Sequence, residues 1–371
     1  MSEARINSIS NENNTGGPTI SGITTFSGLN FFVPPKGTTA QRPSDCPPGS
    51  VRFNTDSGHL EYFNGLQWLE FEAFNNELNG GNRGLFFGGG YGGSPAPAYN
   101  IIDYITISTT GNALDFGDLT QLISTNSAAA SSTRGLRCGG YTGSGNVNNI
   151  DYVTISSTGN AIDFGDVTYA SVQSASGCSN QTRAIFGGGW APSRNEISYV
   201  TIASTGDTND FGDLTLARAA SGAFSSSTRG IFASGGLPET NIIDYVNIAT
   251  TGNAIDFGDT LTIGYACGSC SNSTRGLISW SQSGSNNTIE YITISSTGNS
   301  QDFGDQIVSN RFLSAACSSS TRGVFGGGST ASVGNVIEYV TIATTGNAQD
   351  FGDLTQGRFR LTACSNGHGG L

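Results

Sequence analysis

The chain has 371 residues, a net charge of −12, only 12% charged residues, a single lysine (Lys36) and 54 glycines. Recognition of phosphate backbones and anionic lipids rests on clustered Lys and Arg, so neither nucleic acid nor an anionic membrane surface is an expected partner. No apolar run reaches the ~18 residues that read as a bilayer span, and with 36% hydrophobic and 10% aromatic residues the composition suits many short strands joined by tight turns.

In chain order, residues 1–24 are polar and rich in Asn, Ser and Gly, which predicts an extended arm that orders on a partner. The opening "MSEARINSIS" has no apolar stretch of the secretory type, so no secretory signal is expected; synthesis in a reducing cytoplasm is expected from the free thiols described below. Residues 25–75 read as a small β attachment module. Within it "VRFN" and "HLEYFN" alternate around the turn "TDSG", which predicts a hairpin. Phe53, Leu60, Tyr62, Phe63 and Trp68 give that hairpin a small apolar face, and a lone hairpin is marginal in water. It is therefore expected to fold against its own copies or on a larger particle, with Arg52, Phe53, Tyr62 and Trp68 as the contact residues.

Residues 76–371 contain one sixteen-residue phrase six times, from "DYITISTTGNALDFGD" to "EYVTIATTGNAQDFGD". The phenylalanines of its Asp-Phe-Gly triplet are Phe116, Phe164, Phe211, Phe257, Phe303 and Phe351, at intervals of 48, 47, 46, 46 and 48 residues. Arg83, Arg134, Arg183, Arg229, Arg275 and Arg322 keep the same beat. Periods of ~40–50 residues with four strands each belong to β-propellers, and β-branched alternating segments such as "YVTIAT" exclude helical repeats. In the last unit the strands read as "SAACSS" (314–319), "GVFGGG" (323–328), "VIEYVTIAT" (336–344) and "AQDFGDL" (348–354). The third has apolar groups on both faces and is expected to lie between neighbouring sheets. Before Arg83 the first small-residue strand is missing, while after the sixth box "RLTACSNGHGGL" supplies a spare one. The prediction is all-β: a six-bladed propeller of four-stranded blades, with Leu361–Asn366 completing the first blade. Closure of this kind removes two exposed sheet edges.

The Asp-Phe-Gly box is expected to be structural, since the other parts of a kinase site are absent. Its Phe fills the space between blades, its Gly turns the backbone, and its Asp residues (Asp115 and Asp118 in the first copy) accept from turn amides or face the arginine of the "TRG" turn. Cys178, Cys270, Cys317 and Cys364 share one repeat position with Ala129 and Phe224, a place for a small or apolar side chain. The Cys267/Cys270 pair has CxxC spacing but no second ligand pair. Buried free thiols are expected, with no metal and no cofactor.

Two sets of connections differ in kind. "SSTRG" and "STTGN" are nearly constant among the copies, whereas "YGGSPAPAYN", "YTGSGNVNN", "WAPSRNE", "LPETN", "SQSGSNNT" and "STASVGN" all differ. Copies diverge where the fold does not dictate the residue, and binding loops occupy such places. Tyr91, Tyr141 and Trp190 follow glycine runs there, with Trp280 near the equivalent place. With Asn100, Asn149, Arg194 and Asn195 they form a candidate platform for a sugar ring; the alternative is that the aromatics cover the rim or meet another subunit. A glycosidase needs paired carboxylates, and these loops offer mainly Glu196 and Glu239. His59 and His368 are the only histidines, so catalysis is not expected.

The stretch "GTTAQRPSDCPPGSVRFNTDSGHLEYFNGLQWLEF" resembles a short module of virion proteins of tailed bacteriophages. It carries Arg42, Pro43, Gly49, Arg52, Phe53, Asn54, Gly58, Leu60, Glu61, Tyr62 and Trp68 in order. The "IDYVTISSTGNAIDFGDL" repeats resemble those of structural proteins of phages infecting cyanobacteria, and the Gly-pair-then-aromatic pattern is similar to kelch repeats. The resemblance implies a virion component of tail or fibre type, with other virion proteins as partners through residues 1–75. The propeller is then turned outward, toward host-surface polysaccharide. A purely architectural part without ligand is the other reading; fibre assembly suggests a homotrimer.

Overall fold

The computed structural model describes residues 34–70, 82–91, 97–169, 173–190, 192–265, 268–280, 287–309, 311–329 and 333–371. The arm at 1–24 and Cys267 lie outside them. The chain divides into two compact units, Met1–Asn75 and Asn76–Leu371. All-β structure accounts for both, with a 3-10 turn at Thr39–Gln41 and no α-helix among the described residues.

In the N-terminal unit the hairpin Val51–Asn54/His59–Phe63 forms as the alternation requires, but it does not stand alone. Lys36–Gly37 adds a parallel strand on one side and Trp68–Glu70 an antiparallel one on the other. The register sets Val51 opposite Tyr62 and Phe53 opposite Leu60, and Arg52 opposite Glu61. Alternation therefore splits the expected apolar face. Phe53, Leu60 and Tyr62 share one side with Val51, while Phe63 and Trp68 lie on the side of Arg52 and Glu61. That second side holds a polar centre. Glu61 is fully buried and accepts from Arg42 Nε at 3.0 Å and Nη2 at 2.6 Å and from Asn54 Nδ2 at 3.2 Å, with Arg52 Nε at 3.3 Å. Burial by itself raises the Glu61 carboxyl. The hydrogen bonds of Arg42 and Asn54 and the charges of Arg42 and Arg52 outweigh it and hold the group below the ordinary carboxylate range. Arg52, expected at a contact surface, is instead buried, donates to Thr38 O at 3.0 Å and lies 5.9 Å over the Trp68 ring.

The second unit is built of four-stranded antiparallel sheets in a propeller-like arrangement. Their first strands are the small-residue segments Ser127–Ala130, Ser176–Ser179, Gly222–Ser225, Gly268–Ser271 and Ala315–Ser318, each followed in order by the next three strands of its own repeat. The remaining sheet (the first in chain order) takes Arg83–Phe87, Tyr99–Thr106 and Leu114–Ile123 and receives Thr362–Ser365 as its first strand. There Thr362 faces Phe87 and Ser365 faces Gly84 in antiparallel register. The spare strand at the end of the sequence is thus paired where the missing one should be.

Small side chains in the first strands let these strands approach one another, and serine uses that closeness. Ser179 Oγ donates to Ala130 O (2.7 Å), Ser225 Oγ to Ser179 O (2.6 Å), Ser271 Oγ to Ser225 O (2.7 Å) and Ser318 Oγ to Ser271 O (2.7 Å). Ser365 Oγ donates in turn to Ser318 O. Each link joins one sheet to its neighbour. Where the chain of serines meets Ala130, the half-buried His368 takes over: its Nε2 lies 2.8 Å from Ala130 O and its Nδ1 accepts from Gly370 N at 3.1 Å. Burial lowers the His368 pKa, opposed by the bond to Ala130 O, and the carbonyl at Nε2 with the amide at Nδ1 suits a proton on Nε2. Between sheets, apolar clusters mix residues of two repeats, for example Phe116 and Ile102 with Val153 and Ile155.

Candidate binding surface and axial cavity

In an antiparallel sheet the turns after the first and third strands emerge at one end, and those after the second strand and between sheets at the other. The constant turns and the variable connections therefore lie at opposite ends.

At the constant end every copy repeats one construction. The repeat arginine lies over the tyrosine of its own third strand, from Arg183 over Tyr199 at 4.4 Å to Arg83 over Tyr104 at 4.9 Å. That tyrosine meets the box phenylalanine edge-on, as in Tyr104–Phe116 with centroids 5.9 Å apart. The arginine then donates to a carbonyl of the following sheet: Arg83 to Ile155 O, Arg134 to Ile202 O, Arg183 to Ile248 O, Arg229 to Ile294 O and Arg275 to Ile342 O. Arg322 donates to Ile107 O. The expected pairing of this arginine with the box aspartates is not formed. Asp115 and Asp118 are exposed, and it is the Asp118 amide that donates, to Asn160 Oδ1 at 3.0 Å in the next copy. The box glycine is required by close approach. Gly117 has φ +146°, and a Cβ there would sit 2.5 Å from Gly159 O. The box is a joint between sheets.

A second set of charges was legible in the "IDYV" and "IEYV" wording but carried no expectation. Arg358–Asp103, Arg218–Asp244 and Arg311–Glu338 are buried ion pairs at 3.0, 3.0 and 3.2 Å. Arg137–Asp151 is a fourth, built with an arginine from the second strand in place of one before the first strand. Burial raises the Glu338 carboxyl, opposed by Arg311, and burial lowers the Arg218, Arg311 and Arg358 guanidiniums against the pull of their partners. Where the repeat has Ser198 in the acid's place, no arginine accompanies it, and Glu290 is held by the amides of Leu261 and Thr262 and by Ser300. The charges hold sheets and linkers together. Among the described residues no group of three His, Cys, Asp or Glu is placed to hold a metal ion.

At the variable end the sequence-derived candidates separate. Tyr91 and Trp190 are exposed, at 54% and 43%. Tyr141 is half-buried and spends its hydroxyl on Gly143 O at 2.9 Å. Trp280 is not at the surface at all: it is fully buried. Its register is the cause. Two residues after Ile278, it occupies the place where other copies have Gly88, Gly188 or Gly327, so its indole fills the core beside Ile243 and Ile278. Asn149 donates to Asp151 Oδ1 at 3.0 Å and supports the buried Arg137 pair. Arg194 is engaged with Glu196 Oε1 at 3.0 Å and lies over Tyr169. Asn100 and Asn195 are half-buried on third strands. Tyr91 and Trp190 remain as outward aromatics; Asn149 and Arg194 are tied into the framework.

Sequence reasoning missed the centre of this end. The linkers entering the first strands place Thr125, Ser174, Ala220, Leu313 and Arg360 at φ +52°, +55°, +53°, +55° and +57°. Their backbones bond in succession: Arg360 N to Leu313 O (3.1 Å), Thr125 N to Arg360 O, Ser174 N to Thr125 O and Ala220 N to Ser174 O (each 2.8 Å). Each left-handed residue with a side chain costs about 1–2 kcal/mol, and glycine would remove that cost. In a chain with 54 glycines, none is used at these five places. They line a cavity of about 110 Å³ with Asn126, Ser221, Ser314 and the starts of the first strands.

Five cysteines, Cys138, Cys178, Cys270, Cys317 and Cys364, are buried and unpaired, and Cys46 is partly exposed. Burial drives the Cys138 and Cys270 thiols up to about 12, with small opposing contributions from neighbouring groups. Comparison with protein-family models and with curated proteins finds no match for the chain.

Proposed function

We propose that residues 76–371 form a six-bladed β-propeller closed by the C-terminal strand, and that the protein is a structural component of a bacteriophage virion. In this reading it is tail- or fibre-associated, anchored through residues 1–75, and contacts host-surface glycan with the variable end of the propeller. The closed succession of inter-sheet bonds supports the ring: Arg322 of the last repeat reaches Ile107 of the first, as each earlier arginine reaches the repeat after it. The observation that carries the functional reading is the contrast between ends. One end repeats the same joint six times, while the other changes in every copy and exposes Tyr91 and Trp190. The resemblance of residues 37–71 and of the repeats to phage virion proteins supports the setting. Catalysis has no part in it.

The test is adsorption of the full chain to a panel of cyanobacterial cells, compared with Tyr91→Ala and Trp190→Ala variants of unchanged melting temperature. Saturable adsorption reduced at least ~10-fold by either variant, about 1.4 kcal/mol, supports glycan contact. The second reading, an architectural virion part with no ligand, is favoured by the internal use of Trp280, Asn149 and Arg194. Absence of adsorption to every strain, with the chain still present in assembled particles, would establish that reading instead.

A further inference from the structure

We propose that the axial cavity at the variable end binds a carboxylate-bearing sugar, with Arg360 receiving the carboxylate and Asn126, Ser174 and Ser314 receiving the hydroxyls. Only the source of that sugar, a host saccharide, rests on the reading above. The site is built from the succession of five left-handed linkers. Side chains are retained at five positions whose backbone favours glycine, and all five border the cavity.

Among them one is a cation. Arg360 is half-buried, lies over the Phe359 ring at 5.0 Å, and has neither a carboxylate nor a hydrogen-bond acceptor for its guanidinium among the described residues. The four other buried arginines of this unit each have a carboxylate. Burial lowers the Arg360 pKa with nothing opposing it, as for a guanidinium that lacks its anion.

The polar atoms around it are also unspent. Asn126 and Ser314, each 8% exposed, line the cavity, and both amide atoms of Asn126 and the hydroxyl of Ser314 have no hydrogen-bond partner. Buried polar groups are normally satisfied, so donors and acceptors for a hydroxylated ligand are in place beside an unmatched positive charge. A planar guanidinium takes a carboxylate through two parallel bonds, whereas a neutral sugar would leave it unpaired. The cavity of about 110 Å³ admits one end of a single hexuronate ring, with the remainder toward solvent.

The experiment is calorimetric titration of the full chain with glucuronate, glucose and acetate. Saturable glucuronate binding is expected, at least ~10-fold tighter than either comparator, since each supplies only half of the contacts. Arg360→Gln should weaken it at least ~10-fold, and Asn126→Ala by a smaller factor, with melting temperature unchanged. Should Arg360→Gln lower the melting temperature, Ser174→Glu puts a repelling carboxylate into the same mouth and is expected to abolish binding. No saturable glucuronate binding, comparators that bind as tightly, or variants that bind as the natural chain does would each overturn the proposal. No host cell is involved, so the outcome is separable from that of the adsorption assay with Tyr91 and Trp190.

Discussion

Removing the Asp103 carboxylate isolates what the buried ion pairs contribute. Asp103 is fully buried and accepts from Thr355 Oγ1 at 2.6 Å, Thr355 N at 3.2 Å and Arg358 Nη2 at 3.0 Å. With Asp103→Ala the buried Arg358 keeps only Phe86 O at 3.2 Å. An uncompensated buried guanidinium costs about 3–5 kcal/mol, more than the pair is worth against apolar residues of similar volume. The double variant Asp103→Ser with Arg358→Met imitates the repeat that has Ser198 and no arginine, and should lie within about 2 kcal/mol of the natural chain. Urea unfolding followed by tryptophan fluorescence, extrapolated linearly to water, measures both. A loss below about 1 kcal/mol in the single variant, or a double variant no more stable than the single one, would refute the reasoning.

Other outcomes follow from the same geometry. His368 has a folded pKa below its unfolded one, so its contribution is present above about pH 6.5 and is lost as pH falls. The natural chain should lose stability between pH 7 and 5 relative to His368→Gln; parallel pH profiles of the two midpoints would refute this. Gly117→Ala forces a Cβ to 2.5 Å from Gly159 O, and at a backbone neighbour that cannot swing away the expected cost is about 2 kcal/mol or more in the unfolding free energy. A change under 0.5 kcal/mol would remove the joint role assigned to the box. Cys46 should react with a thiol reagent in the folded protein, while Cys138, Cys178, Cys270, Cys317 and Cys364 react only on unfolding. Peptide mapping of the labelled sites decides it.

The sheets were legible because their signals are local and repeated. In the last repeat, "AACS", "RGVFG", "VIEYVT" and "QDFGD" alternate or bulge as strands must, and the spare "TACS" at the end pointed to its own partner. Side-chain roles that depend on neighbouring repeats were not local. The Arg322 guanidinium could be placed in a turn from its wording, but its acceptor Ile107 O lies 215 residues away, so the aspartates nearby looked like the natural partners. The sequence places Trp280 at the surface because it follows a strand and precedes a variable loop; a register offset of two residues puts it in the core. In the N-terminal unit, counting apolar residues conceals that Arg52, Asn54 and Glu61 form its buried centre, with Arg42 closing over it from the surface. The left-handed linkers carried no signal, since Thr, Ser, Ala, Leu and Arg at those places share no side-chain chemistry and only the backbone bonds unite them.

Hydrogen exchange at the terminal strand tests ring closure most directly. Amides of Thr362–Ser365 and of Gly84–Phe87 should exchange as slowly as those of Ala315–Ser318, and removal of residues 361–371 should release protection at Gly84–Phe87. Exchange of the terminal strand at the rate of a solvated tail, or unchanged protection of Gly84–Phe87 after truncation, would contradict a ring sealed by the chain's own end.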